Sequence, residues 1–436
     1  MYLRFNYFYN MYLQIKKAEL VPDAIWQDNI DFYNTINLFF IYSSIWSMSY
    51  VVQEKKKIIK PLFKFDITHK VVNFKTEWIK YMWSKKEILP HIRDMIKDLN
   101  IKSVFDWFAW TTRVWQFFNN NWIQVISNDL NIRSEIFGKA FLLNDEKKRE
   151  TYIKKINHLN SLEWYKWYYT TVYWWVDYDW SSVQPDGKKR LRQMHNTMKL
   201  DAIRDEIDKI AEDEIEKSVL LASLIFALDK VDSSLWHFSS YLRERSSRSY
   251  KNLRLELPYF VDSVEWNDII TGDVFGALSK INTDLAYYDP PYGSNNDQMP
   301  SSRVRYGQYY HIWETIIRHD KPEVIWAINK RADATVEKTY SIFEDYNKKW
   351  DYYVPELAIF DLIKKTKTKY ILFSYNTNWR ASIKNIIQFL EDNKYKYELR
   401  NIWYKKNVMA WMKRTYDWDN LWNKDNHEIL LLIYNH

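Results

Sequence analysis

The chain has 436 residues, 47% of them hydrophobic, which is enough for a large core and two or three lobes and excludes a disordered protein. It contains no cysteine, so disulfides, iron–sulfur clusters and cysteine zinc sites are excluded and a reducing, cytoplasmic setting is expected; the nine histidines show no metal-ligand spacing, and no metal is expected. A net charge of +7 suits a polyanionic partner without requiring one.

Residues 1–65 read as an aromatic-rich extension. Within it Ile36–Val52 is shorter than the roughly 20 apolar residues of a membrane span and is broken by four serines, so no membrane association is expected. Residues 66–145 open a βαβ pattern: an amphipathic helix over Glu87–Leu99, a strand over Ser103–Phe105, a short helix near Val114–Asn119 and a second strand over Ile123–Ser127. Residues 146–267 change to a charged, aromatic, helical pattern with Leu200, Ile203, Ile207 and Ile210 at helical spacing, which predicts an inserted, mainly helical lobe. In residues 268–436 strand character returns at Asp284–Tyr288, Glu323–Ile328 and Tyr370–Tyr375, as further strands of one sheet. The fold class is α/β, and no repeat interrupts it.

Glycine and tryptophan are both abnormal. The chain holds 6 Gly and 23 Trp, whereas average usage of about 7% gives roughly 30 glycines. Asn121-Trp122, Asp179-Trp180, Asn378-Trp379 and Asp417-Trp418 are turn-like pairs that favour a residue tolerating positive φ. The reading that joins these facts is that most tryptophan positions are glycine in the native protein, the gene reading UGA as glycine where this translation has tryptophan. The alternative is a tryptophan-rich protein as written.

The most specific motif is Asp289-Pro290-Pro291-Tyr292, directly after the apolar strand. A carboxylate and a carbonyl accept hydrogen bonds, two prolines fix the backbone, and an aromatic ring offers a stacking face; an amino group on a flat base satisfies all of these. Upstream, Ser103–Val114 (SVFDWFAWTTRV) is a strand ending in an acid, followed by small and hydroxyl residues that turn into a helix. Asp129 ends the next strand; it reads either as an acceptor for ribose hydroxyls or as an N-cap or Asx turn. Ile79–Ile88 reads IKYMWSKKEI. Two segments of the predicted lobe, Gly187–Arg192 and Tyr241–Arg254, mix basic residues with Ser and Tyr, and read either as exposed charge or as phosphate donors.

The segment Asp106-x-Phe108-x-Trp110 resembles the cofactor loop of S-adenosylmethionine-dependent methyltransferases, D-x-F-x-G-x-G, with Trp110 where that loop requires glycine. IKYMWSKKEI resembles the K-W/Y-x-G-G/S-K element of Dam-like adenine-specific DNA methyltransferases, with Trp83 again at a glycine position. The order of this element, the cofactor loop, a long lobe and DPPY is similar to that family over residues 70–436. The resemblance implies a Rossmann-like sheet with an inserted DNA-recognition lobe, and S-adenosylmethionine as cofactor. Its contacts would be Tyr81, Trp83, Ser84, Lys85, Asp106, Phe108, Trp110, Asp129 and, near the cofactor's adenine, Asp273. Asp289, Pro290, Pro291 and Tyr292 would hold a flipped adenine, and Ser374-Tyr375-Asn376 would border the target pocket. Arg190, Arg192, Arg245 and Arg248 would touch double-stranded DNA. The implied reaction is adenine N6 methylation, with a cognate restriction endonuclease as partner. Cytosine N4, RNA adenine, a protein glutamine amide, or DNA binding without catalysis if the tryptophans are literal, remain the alternatives.

Overall fold

A computed structural model describes residues 75–77, 79, 85–109, 112–173, 181–183, 187–190, 192–234, 237–238, 242, 244–261, 264, 266–278, 281–291, 306–335, 341–377, 380–403 and 427–435. All belong to the unit Val72–His436. The extension, the Ile36–Val52 stretch, and Tyr81, Trp83, Ser84, Trp110 and Tyr292 lie outside the described residues.

Seven strands form one sheet: β1 (Ser103–Asp106), β2 (Gln124–Asp129), β3 (Asp268–Thr271), β4 (Leu285–Tyr288), β5 (Tyr370–Asn376), β6 (Lys396–Trp403) and β7 (His427–Tyr434), in the order β6-β7-β5-β4-β1-β2-β3. The pairs β4–β5, β1–β4, β1–β2 and β2–β3 are parallel, and β7 runs antiparallel between β5 and β6. This is the mostly parallel Rossmann-like sheet that the motif order implied.

Because successive strand residues face opposite sides, the sheet feeds two cores. Val104, Leu372, Leu430 and Leu432 face one; Phe105, Ile371, Phe373, Leu431 and Ile433 face the other. The first core is covered by helices α1 (Leu89–Ile96), α2 (Arg113–Asn119) and α3 (Ile132–Leu142), joined by α4 (Arg149–Ser161), α5 (Tyr168–Tyr173), α6 (Met194–Ile210) and α7 (Glu214–Val231). The second is covered by the short α8 (Val274–Ala277), α9 (Val354–Lys365) and α10 (Ile383–Asp392). Helix α1 begins later than its amphipathic pattern suggested, after a 3-10 turn over Lys85–Ile88, because Pro90 is tolerated only in the first turn, where its missing N–H costs nothing. Helix α7 is capped by Asp213, whose side chain accepts from the Glu216 N–H at 2.7 Å. Gly138 of α3 lies against β3: a Cβ there would sit 2.9 Å from Ile269 Cδ1.

One expected strand is corrected. Val324–Ile325 does not join the sheet; it pairs with Lys330–Arg331 in a two-stranded ribbon. Trp326 and Asn329, with φ 62° and 50°, reverse the chain between them, and Val324 and Ile325 are only half-buried.

The backbone also speaks to the tryptophans. Of the described non-glycine residues with positive φ, four are tryptophan: Trp122 (63°), Trp266 (71°), Trp326 (62°) and Trp350 (55°). All four are exposed, from 56% to 86%, so no burial of the indole offsets the left-handed backbone. Trp107 and Trp115 are instead buried, and their indole N–H groups find no hydrogen-bond partner among the described residues.

Candidate active site

Parallel strands deliver their last residues to one edge, so β1, β2 and β4 bring Asp106, Asp129 and Asp289 to the same side of the sheet. Asp106 stands level with Tyr287, two residues before Asp289. Burial, with the Asp289 charge as the next cause, pushes the Asp106 carboxyl well above the ordinary range, while the Phe108 N–H, 3.4 Å away, only partly offsets this. Phe108 packs edge-on against Phe343 at 5.1 Å. Just beyond the undescribed residues 110 and 111, Thr112 takes a left-handed φ of 58° before α2.

Asp129 is half-buried at the end of β2; desolvation raises its pKa to about 6, against hydrogen bonds from backbone N–H groups, Asn131 at 2.7 Å among them. The Asx-turn reading of Asp129 is present in the geometry, its Oδ1 accepting from the Asn131 N–H two residues on. Gly272, at φ 143°, follows β3 and donates to the Asp129 carbonyl at 3.0 Å. Asp273 is exposed and caps α8, accepting from Phe275 N at 2.9 Å.

A buried polar cluster lies between β4, β5 and β7. The Lys85 ammonium is 2.9 Å from Asp289 Oδ1, touches Glu428 Oε1, and donates to Ser374 Oγ at 3.3 Å; Ser374 Oγ donates to Glu428 Oε1 at 2.7 Å. All are buried, with side-chain exposures of 3%, 8% and 6% for Lys85, Asp289 and Glu428. Burial alone would lower the lysine pKa, but the two carboxylates raise it above its ordinary value, so Lys85 is an ammonium. The lysine that the resemblance assigned to the cofactor is thus paired with Asp289 of the DPPY motif. Glu428 was not singled out from sequence; its signal is an acid near the start of the apolar run Ile429–Ile433, opposite Asn376 in the register.

Strand alternation divides the Ser374-Tyr375-Asn376 element. Ser374 joins Lys85, whereas Tyr375 points into the opposite core, stacks on Phe373 at 5.7 Å, and accepts from the Ala381 N–H at 3.1 Å. Asn376 is buried at the end of β5. Pro290 is buried and Pro291 half-buried, after Asp289.

The arginines of the basic segments stand apart from this cluster. Arg190 and Arg192 are buried, and Arg192 lies over the rings of Phe238 (5.5 Å) and Trp313 (5.2 Å). Arg248 pairs with the buried Asp232 at 2.7 Å, and half-buried Arg245 donates to Gln193 Oε1.

Residues 81–325 match the family model of the D12 class N6 adenine-specific DNA methyltransferases. Modification methylase StsI of Streptococcus sanguinis is 27% identical over 72% of this chain and 46% of its own length, and modification methylase LlaI of Lactococcus lactis subsp. lactis is 26% identical over 68% and 46%. The type II methyltransferase M.NlaIII of Neisseria lactamica is 23% identical over 67% of this chain and 80% of its own. The chain therefore spans about half the length of the first two relatives. With the family model matching more than half of its residues, and the strand-end acids of the sheet in place, the chain belongs to the D12 class N6 adenine-specific DNA methyltransferases.

Proposed function

We propose that the protein is a site-specific DNA adenine N6-methyltransferase of a restriction-modification system, using S-adenosylmethionine and acting on double-stranded DNA. The observation that carries this reading is the buried Asp289 held on an ammonium at the carboxyl edge of the sheet, directly before two prolines. A stacked base cannot present its amino group to such a recessed carboxylate, so the target adenine must leave the duplex. Asp289 and the Pro290 carbonyl accept the two amino hydrogens, and Tyr292 stacks on the ring. This orients the nitrogen lone pair and stabilises the positive charge that develops on the nitrogen. The bound cofactor supplies a methyl group on a sulfonium. Asp129 fits its ribose, because a half-buried carboxylate with a raised pKa gains from two hydroxyl donors.

The reading carries a condition at Trp83 and Trp110, where the family's loops need glycine. The four tryptophans at positive φ and the two buried unpaired indoles support the view that tryptophan occupies glycine positions through much of this chain. Two experiments test both parts. Codon sequencing should find UGA at positions 83, 110 and 122; UGG at all three ends the recoding idea. Labelled-methyl transfer by the Trp83→Gly/Trp110→Gly chain should appear on DNA and be absent on RNA and protein. DNA binding without donor binding by that chain would instead leave a non-catalytic DNA-binding protein.

A further inference from the structure

We propose that Glu428 and Ser374 are positioning residues, which hold the Lys85 ammonium so that Asp289 meets the target amino group as an oriented carboxylate. The inference rests on the role given to Asp289 above. An ammonium has three N–H donors, and Asp289 Oδ1, Glu428 Oε1 and Ser374 Oγ offer an acceptor to each. The Ser374 hydroxyl accepts from Lys85 and donates to Glu428, which fixes its own orientation and leaves the lysine one place to stand. The four groups come from four places far apart in the chain: the 3-10 turn before α1, the end of β4, β5 and β7, the last two facing each other so that Ser374 lies opposite Leu430 and Glu428 opposite Asn376.

Stability does not account for the arrangement, because a buried ionic cluster contributes little compared with apolar residues of the same volume. Its effect falls on the carboxylate. Asp289 shares the strand edge with Asp106, a second buried acid whose protonation its charge favours. Lys85 counters that repulsion through its ion pair with Asp289, while Glu428 takes part of the lysine's charge and keeps the ammonium from being spent on Asp289 alone. The groups facing the cluster are Asp106 from β1, Tyr287 from β4, Ser374 from β5 and Glu428 from β7.

The test compares Asp289→Ala, Glu428→Gln, Lys85→Met and the double variant Lys85→Met/Glu428→Leu, in whichever form of the chain, written or glycine-restored, transfers methyl. Glu428→Gln should lower kcat roughly 10²-fold, the scale of a misplaced reacting group, with S-adenosylmethionine and DNA affinities unchanged. Glu428→Asp should recover part of it. Lys85→Met should move the acid limb of kcat to higher pH, because that limb belongs to the Asp106–Asp289 pair, which then lacks its cation. The double variant, apolar on both sides, should bind S-adenosylmethionine and remain slow; binding with a parental rate overturns the proposal. So does a dead Asp289→Ala beside a Glu428→Gln of parental kcat and a Lys85→Met of parental pH limb. Activity in Asp289→Ala sinks the parent reading instead, and a chain that transfers no methyl in either form sinks both.

Discussion

The carboxyl edge of the sheet and the helical segment α4–α7 handle charge in opposite ways. At the sheet edge, acids are buried next to one another, Asp106 beside Asp289, and the ammonium of Lys85 is drawn in to meet them. In the helical segment and just after it two arginines turn inward: Arg192 covers aromatic rings, and Arg248, in the turn beyond α7, neutralises Asp232. The first arrangement costs desolvation of ionisable groups gathered at one edge, the pattern of functional sites. In the second, Arg248 is neutralised by an acid, while the Arg192 guanidinium lies over rings with no hydrogen-bond partner among the described residues. A basic stretch in a sequence therefore says less about contacts than a strand-end acid does, because topology fixes where a strand ends but not where a long side chain points.

The largest effect that could break this comparison is at Asp289. Asp289→Ala should abolish detectable methyl transfer, a loss of roughly 10³-fold or more, while S-adenosylmethionine binding measured by calorimetry stays close to parental. Lys85→Met should destabilise the fold by about 3–5 kcal/mol in a denaturant titration, since it leaves two buried carboxylates without their cation; a neutral result would mean that the edge tolerates bare acids.

Asp129 offers a pH test with a definite sign. Its folded pKa of about 6 lies above the unfolded value, so its contribution to stability is present below the ordinary carboxyl pKa and is lost as pH rises through about 6. Ribose hydroxyls favour the ionised form, so cofactor affinity should rise about tenfold between pH values of about 5 and 7. In Asp129→Asn that slope should vanish.

Arg248→Ala separates the two regions directly. If its charge is consumed by Asp232, stability falls by about 1–3 kcal/mol and the salt dependence of DNA binding keeps its slope. A slope reduced by about one phosphate contact would return Arg248 to the DNA surface. The smallest effects belong to the turns: Trp122→Gly, Trp266→Gly, Trp326→Gly and Trp350→Gly should each raise stability by about 1 kcal/mol, seen as small additive gains in Tm, because glycine adopts positive φ without a Cβ clash.

Much of the fold was legible. The strand at Asp284–Tyr288 and that at Tyr370–Tyr375 fall within a residue of where apolar patterning set them, and the βαβ opening is present. The segment at Glu323–Ile328 misled because a short apolar run has no periodicity of its own, and only the reversal at Trp326–Asn329 makes it a ribbon. β3, β6 and β7 were not foreseen.

Sequence by itself determined the chemistry at single positions: an acid followed by two prolines, acids closing the first two strands, and tryptophans standing where turns need glycine. These are local properties, set by residue type and neighbours. Which side chains meet was decided only by tertiary structure. Lys85 and Glu428 are 343 positions apart, and they touch because β7 inserts antiparallel beside β5 and brings its first residues to the edge where the parallel strands end. The same alternation sent Tyr375 to the opposite core and Ser374 to the lysine, a division that a motif of three consecutive residues cannot express.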